Sequence, residues 1–358
     1  MKYKILADLL RQEIRSGSRP GRLPTEKELA ERYNMSRQTV RHALQILTEE
    51  GLIQRRQGSG SYVCSPSEGA STAEVAVITT FGDDYIFPRV LHDTQDILAQ
   101  RGYTTLAHAT GNLVSTEREI LQRLIDHPVS GVLAEGSKSA LPNPNVDLYR
   151  KLRDSGTPVV FFHSHHPELQ EFPRVVDDNY GGGYLLTRHL IDQGHRHIGG
   201  IFKSDDIQGP QRYYGMVCAM RDAGLTVDDR AICWYDTEDR REMMKDREGG
   251  MIRRFLNERL SQVSAVVCFN DQVAHQLIGQ LLSQGSRVPR DVAVVGFDNS
   301  YYSQIGPVPI TSLRHKDFRT GQAAAELLLQ LIRTGHGQSK TLGWELMVRE
   351  SSVFGGEV

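Results

Sequence analysis

The sequence predicts an α/β protein in two parts: a small helical head ending in a β-hairpin, and a larger two-lobed body of parallel sheets flanked by helices. Three observations predict it. The head is basic, with 12 Lys and Arg against 7 Asp and Glu in residues 1–66, while the rest of the 358-residue chain carries 30 against 37. From residue 74 onward, apolar runs of strand length alternate with helical patterns, the signature of parallel sheets covered on both faces. Between the two, residues 64–73 are small, polar and aperiodic, the composition of a flexible tether.

In the head, Ile5, Leu6, Leu9, Leu10 and Ile14 recur at helical spacing and form one apolar stripe. A loop at 17–23 follows. Thr25-Glu26-Lys27-Glu28 then has the form of a capping box, in which Thr and Glu each satisfy the other's free backbone N–H. The short second helix ends near Tyr33, Asn34-Met35 makes a tight turn, and Ser36 caps a third helix. On that helix Val40, Ala43, Leu44 and Leu47 share a face, and Arg37, Gln38, Arg41 and Gln45 lie away from it. Two short helices joined by a tight turn are a helix-turn-helix, whose second helix enters the DNA major groove. Arg37 suits guanine O6 and N7, and Gln38 suits adenine. Residues 52–56 and 61–63 read as two short strands turned by Gln57-Gly58-Ser59-Gly60, which makes the head a winged helix-turn-helix with Arg55 and Arg56 near the wing. A basic head on an acidic body directs only the head toward a polyanion.

In the body, strands are expected at 74–80, 103–107, 131–134, 158–162, 197–202, 265–269 and 292–297. Helices are expected at 87–101, 115–126, 145–154, 180–193, 208–223, 271–283 and 321–333. About 285 residues exceed one comfortable core, so two lobes are expected. Ligands of such sheets lie beyond the carboxyl ends of the strands. The segments there are Asp83-Asp84-Tyr85, Glu135-Gly136-Ser137-Lys138, His163-Ser164-His165, Lys203-Ser204-Asp205-Asp206, Asn270-Asp271 and Asp298-Asn299. Carboxylates, amides and a few cations beside aromatic faces suit a polyhydroxylated ligand such as a sugar, each hydroxyl of which donates and accepts. The apolar face of such a ring stacks on Tyr85 or Phe87.

Catalytic chemistry has no foothold. Neither Gly-x-Ser-x-Gly, His-Glu-x-x-His, a P-loop nor Gly-x-Gly-x-x-Gly occurs, so no catalytic residue, cofactor or metal is expected. His163, His165 and His166 lack a matching downstream His or Cys motif, and His195 and His197 flank a helix-to-strand turn. Asp177-Asp178 precede a helix, where carboxylates cap the N-terminus and favour its dipole. The four scattered cysteines fit reduced thiols. No apolar run of about 18 residues and no signal-peptide pattern appear, which points to a cytoplasmic protein without a membrane partner.

Several segments resemble known families. Leu23-Pro24-Thr25-Glu26-Lys27-Glu28-Leu29-Ala30, Ser36-Arg37-Gln38-Thr39-Val40-Arg41, Glu50-Gly51-Leu52-Ile53 and Gly58-Ser59-Gly60 resemble the GntR-family winged-helix domain. That resemblance implies DNA contacts at Lys27, Ser36, Arg37, Gln38, Thr39 and Arg41, and at Gly58 of the wing. Val176-Asp177-Asp178-Asn179-Tyr180-Gly181-Gly182-Gly183, Gly194-His195-Arg196-His197-Ile198, Arg212-Tyr213-Tyr214-Gly215, Cys268-Phe269-Asn270-Asp271, Val288-Pro289-Arg290-Asp291-Val292 and Gly296-Phe297-Asp298-Asn299 resemble the LacI-type effector domain. It implies the periplasmic-binding-protein-like fold and sugar contacts at Arg212, Asn270 and Asp298. Met216 stands where Phe is usual after Arg-x-x-Gly. Shorter segments at 84–88, 135–141 and 200–209 are similar to the arabinose-responsive repressors of Gram-positive bacteria, a family that joins these two modules. This implies L-arabinose as effector, with Tyr85, Glu135, Lys203, Asp206, Gln208 and His163 as further effector contacts.

The expected organisation is a winged-helix domain at 1–63, a linker at 64–73 and an effector domain at 74–358. One lobe takes 74–175 with 309–336, and the other 176–308 with 337–354. The expected function is a homodimeric repressor on palindromic operator DNA, released by sugar. A regulator answering to another pentose or hexose, an activator, and a DNA-tethered sugar-processing enzyme are the alternatives.

Overall fold

A computed structural model describes residues 2–15, 23–49, 52–56, 60–63, 73–82, 84–245, 250–316 and 319–353. The chain divides into two units, Met1–Thr72 and Ala73–Val358.

The first unit holds helices α1 (Lys2–Arg15), α2 (Glu26–Arg32) and α3 (Arg37–Glu49), then strands β1 (Ile53–Arg56) and β2 (Gly60–Val63). The capping box forms as the sequence requires: Thr25 N donates to Glu28 Oε2 at 2.7 Å, and Glu28 N to Thr25 Oγ1 at 3.3 Å. Asn34 turns the chain with φ 49°, and Ser36 Oγ accepts from Thr39 N at 3.2 Å to cap α3. Leu6, Leu10, Leu29, Val40, Leu44, Leu47 and Ile53 bury together, so α1, α2, α3 and the hairpin share one core. β1 and β2 pair antiparallel from Ile53–Val63 to Arg56–Gly60. The expected turn residues 57–59, Gly58 among them, lie outside the described residues.

The second unit alternates strand and helix: β3 (Glu74–Thr79), α4 (Phe87–Ala99), β4 (Thr104–Ala109), α5 (Val114–Asp126), β5 (Gly131–Ala134), α6 (Val146–Asp154), β6 (Val159–His163) and β7 (Arg174–Asp177). It continues with α7 (Asn179–Asp192), β8 (Ile198–Lys203), α8 (Gln208–Asp222), β9 (Ile232–Tyr235), α9 (Thr237–Lys245), α10 (Gly250–Arg259), β10 (Ala265–Cys268), α11 (Asp271–Ser283) and β11 (Ala293–Val295). It ends with β12 (Ser312–His315), α12 (Thr320–Thr334), β13 (Lys340–Leu342) and β14 (Trp344–Met347).

Ten of these strands form a six-stranded parallel sheet, ordered β13-β7-β6-β5-β3-β4, and a four-stranded parallel sheet, ordered β11-β10-β8-β9, while β12 and β14 pair antiparallel with each other. Each parallel sheet is covered on both faces. Alternate residues of the first send Val75, Val77, Leu133 and Val160 toward α4 and α12, and Ala76, Ile78, Val132 and Phe161 toward α5 and α6. The second buries Ile201, Val266, Cys268 and Val294 against α10 and α11, and Phe202, Ala265, Val267 and Val295 against α7 and α8.

Three segments join the lobes: first 177–179, second the stretch between β12 and α12, of which 315–316 and 319–320 are described, and third 342–344. The expected limits misplace two strands. β12, assigned to the first lobe, puts Leu313 into the second lobe's core, and β13, assigned to the second, extends the first sheet beside β7. Both are only three or four residues long, too short for alternation to reveal which sheet they join.

Candidate functional site

The glycines around 181–215 bring two helices together. A Cβ on Gly183 would lie 2.0 Å from Arg212 O, and one on Gly215 would lie 2.1 Å from Tyr180 O. Close approach of α7 and α8 therefore requires these glycines, and it seats Arg212 at the head of α8 beside the carboxyl ends of the second sheet.

Those strand ends face the strand ends of the first sheet across a cavity. Tyr85, Glu135 and His163 line it from the first lobe, and Lys203, Asp206, Gln208, Arg212, Asn270 and Asp298 from the second. All nine side chains expected at the effector site thus meet in one place. Phe81, Phe87, Tyr235, Arg240 and Phe269 complete the wall. Of these five, only Phe87 stood among the sequence candidates, as a stacking ring.

Arg212 is 1% exposed and is fixed on every side. Its Nε donates to Asn179 Oδ1 at 2.9 Å, Nη1 donates to Phe269 O, and Nη2 lies 3.5 Å from Asp298 Oδ1. The guanidinium sits over the rings of Phe297 at 4.0 Å and Phe269 at 4.9 Å. Lys203 Nζ is held by Asp205 Oδ1 at 2.5 Å, Asp206 Oδ2 at 2.8 Å and Thr237 Oγ1 at 3.1 Å. Arg240 pairs with Asp84 and lies 4.1 Å from the Phe81 ring centre. His163 Nδ1 is 3.1 Å from Asp177 Oδ2.

Every cation of the wall named here therefore has its own carboxylate. Burial works against the His163 proton, but the bond to Asp177 and the charge of that carboxylate outweigh it and lift the imidazolium to about 9. Glu135 accepts from Thr80 N at 2.6 Å and Thr80 Oγ1 at 2.7 Å, yet burial dominates and pushes its carboxyl up to about 7. Gln208 is 3% exposed, and its Oε1 has no partner among the described residues. That atom is an acceptor waiting for a donor. Asn270 Oδ1 accepts from Val273 N at 3.0 Å and so caps α11 at the wall.

Several bonds cross the cleft. The Tyr85 hydroxyl donates to Asp298 Oδ2 at 2.7 Å, and Gln208 Nε2 donates to His163 O at 3.4 Å. Farther out, Asn112 Nδ2 donates to Asp206 Oδ1 at 3.0 Å and Thr237 Oγ1 at 2.7 Å, while Asn112 Oδ1 accepts from Lys138 N at 2.7 Å. Ile207 N donates to Ser139 Oγ at 3.0 Å.

The three histidines at 163–166 do not converge on one point. His163 turns to Asp177, while His166 joins a buried network with Asn143 and Glu117 in the first lobe. Asp178 caps α7 by accepting from Gly181 N at 2.8 Å, as the sequence predicts, but Asp177 does not share that role.

On the head, Lys27, Ser36, Arg37, Gln38 and Arg41 are exposed and Thr39 is half-buried. Arg37 and Gln38 open α3. The hydroxyls of Ser36 and Thr39 lie 2.8 Å apart and serve the helix cap, and Arg41 is paired with Glu26 at 3.0 Å.

Known proteins match both units. Residues 2–63 match the family described as bacterial regulatory proteins, gntR family, and residues 187–352 match the periplasmic binding protein-like domain. The arabinose metabolism transcriptional repressor of Halalkalibacterium halodurans is 32% identical over 360 residues, covering 98% of this chain and 95% of that protein. The repressor of the same description from Geobacillus stearothermophilus is 36% identical over 334 residues, covering 93% and 90%. The solved complex of the transcriptional regulator CelR with cellobiose shares the fold, with TM-score 0.66 at 24% identity, covering 92% of this chain and 100% of that one. The chain belongs to the family of bacterial transcriptional repressors that join a gntR-type helix-turn-helix to a periplasmic-binding-protein-like domain, regulators rather than enzymes.

Proposed function

We propose that the protein is a repressor released from its operator by a neutral sugar, L-arabinose, and that it acts as a homodimer on palindromic DNA. The observation that carries the ligand class is the pairing of the cavity's cations. Lys203, Arg212, Arg240 and His163 each face a carboxylate, so among the described residues the wall offers no unpaired positive charge for a phosphate. It offers instead alternating donors and acceptors beside aromatic rings, which suits the hydroxyls and apolar face of a pentose. The repressors named above are described as controlling arabinose metabolism, which supports that pentose.

On the head, Arg37 and Gln38 are assigned to base edges, and Lys27 and Arg41 to phosphates. Ser36 and Thr39 position the start of α3, and Gly58 serves the wing. Two heads match a two-fold operator. Sugar favours the bridged arrangement of the lobes through contacts made only there. The change in lobe angle resets the spacing of the paired heads through residues 64–73. A coupling of about 1–3 kcal/mol weakens operator binding about 5–150-fold.

Calorimetry of the full chain against L-arabinose, D-xylose, D-ribose and D-galactose tests the ligand. Selective binding of arabinose is expected. Selective binding of another sugar removes the named effector, and binding of none removes the sugar-sensing reading.

A further inference from the structure

Asp177 is the last residue of β7, at the first of the three segments that join the lobes. Its side chain has no solvent exposure, and it faces two histidines. Oδ2 lies 3.1 Å from His163 Nδ1, and Oδ1 lies 2.8 Å from His315 Nε2. His163 ends β6 and lines the cavity. His315 ends β12, on the second joining segment. Its ring stacks on Trp344 with centroids 4.6 Å apart and planes at 23°, and Trp344 opens β14, on the third. Trp344 Nε1 donates back to Asp178 O at 2.9 Å, and Lys316 N donates to Gly343 O at 3.1 Å. One carboxylate and two stacked rings therefore tie all three joining segments together.

The cavity reaches this cluster from both sides. His163 touches Asp177 directly. From the second lobe, Arg212 Nε bonds Asn179 Oδ1 at 2.9 Å, and Asn179 Nδ2 bonds Asp177 O at 3.1 Å. His163 also holds φ 63°, a backbone state that a β-strand end does not need and that its surroundings must enforce. Rotation of two lobes about short joining segments is absorbed by a few backbone angles. A cluster that fixes those segments against one another sets which lobe angles are allowed.

We propose that Asp177, His163 and His315 form a hinge clasp that passes occupancy of the cavity to the angle between the lobes. Asp177 and His315 are positioning residues that touch no ligand, and His163 is the member that meets both ligand and clasp. This rests on the reading of the protein as a sugar-released repressor and adds how the release is transmitted.

His315→Phe keeps a ring on Trp344 but removes the N–H that reaches Asp177, whereas His315→Gln keeps an N–H donor. In the full chain, sugar affinity and the operator dissociation constant with and without saturating sugar are measured for each. His315→Phe is expected to hold sugar affinity within about threefold while the sugar-induced weakening of operator binding shrinks about tenfold, and His315→Gln restores part of it. Trp344 gives an independent signal once Trp234, the other tryptophan, is replaced by Phe: its emission changes on sugar binding, and that change is lost with His315→Phe. A normal operator response in His315→Phe overturns the clasp, as does parallel loss of sugar affinity and response, which marks a merely structural role. Should His315→Phe not fold, a Trp344 emission indifferent to sugar overturns it. A wild type that binds no sugar removes the functional reading itself, whereas a responsive wild type beside an equally responsive variant removes only the clasp.

Discussion

Asn112→Gly isolates the bonds that bridge the lobes outside the cavity wall. Asn112 is fully buried, sits at φ 59° and is not among the residues lining the cavity. Glycine adopts that φ without strain, so the substitution removes the side chain and little else. Lost are the bonds from Nδ2 to the Asp206 carboxylate and the Thr237 hydroxyl, both across the cleft, and the acceptor for Lys138 N within the first lobe. A bond to a charged group is worth about 1.5–3 kcal/mol and a neutral one about 0.5–1.5 kcal/mol. Water entering the space left by the side chain replaces part of this, which leaves about 2 kcal/mol as the loss to the bridged arrangement alone. At 1.4 kcal/mol per tenfold, sugar affinity falls about 30-fold. The operator affinity of the sugar-free protein is expected to stay unchanged, because on the proposed mechanism that form opens the cleft and does without these bonds. Calorimetry and operator titration on the same preparation read both numbers. Sugar affinity within about threefold of wild type in a folded variant would refute the idea that cross-cleft bonds stabilise the ligand-binding form.

Asp298→Ala removes the partner of both Arg212 and Tyr85, so operator binding persists while sugar no longer relieves it in a gel-shift titration. Arg37→Ala costs about 1–3 kcal/mol of operator binding and relaxes base preference at one position, read by competition with operator variants. The Glu135 carboxyl titrates near 7 in the folded chain, above its ordinary 4.5, so the folded state holds the extra proton between those values. Stability from this group is complete below about 4.5 and declines as pH rises toward 7, by about 3 kcal/mol over the window. Denaturant unfolding from pH 4.5 to 8 should show that slope in wild type and its loss in Glu135→Gln; parallel pH profiles for the two would contradict the assignment.

Much of this was legible in the sequence because the relevant signals are local. The capping box at Thr25–Glu28, the turn at Asn34 and the apolar face of Val40, Ala43, Leu44 and Leu47 define the helix-turn-helix without long-range information. In the body, parallel strands bury both faces and read as apolar runs, and their carboxyl ends mark a cleft; the nine side chains that share its cavity were singled out by the resemblance to LacI-type effector domains and arabinose-responsive repressors, together with their place near those ends. What escaped depends on distant partners. Arg240 lies in Glu238-Asp239-Arg240-Arg241-Glu242, which reads as a solvated charged turn; only folding sets it over Phe81 and against Asp84. β9 is hard to see in the sequence because Ile232-Cys233-Trp234-Tyr235 is a short run at the edge of its sheet. Asp177 and Asp178 look alike in sequence, yet one caps α7 and the other faces two histidines 14 and 138 residues away.

On the proposed mechanism, a neutral sugar in the cleft loosens the grip of the heads on DNA. Fluorescence anisotropy of a labelled operator bound to the full chain, titrated with L-arabinose beside D-xylose, D-ribose and D-galactose, tests it most directly. Release by arabinose alone is expected, with a rise in the operator dissociation constant of about 5–150-fold. An operator complex that arabinose binds without weakening, or that no sugar affects, would contradict it.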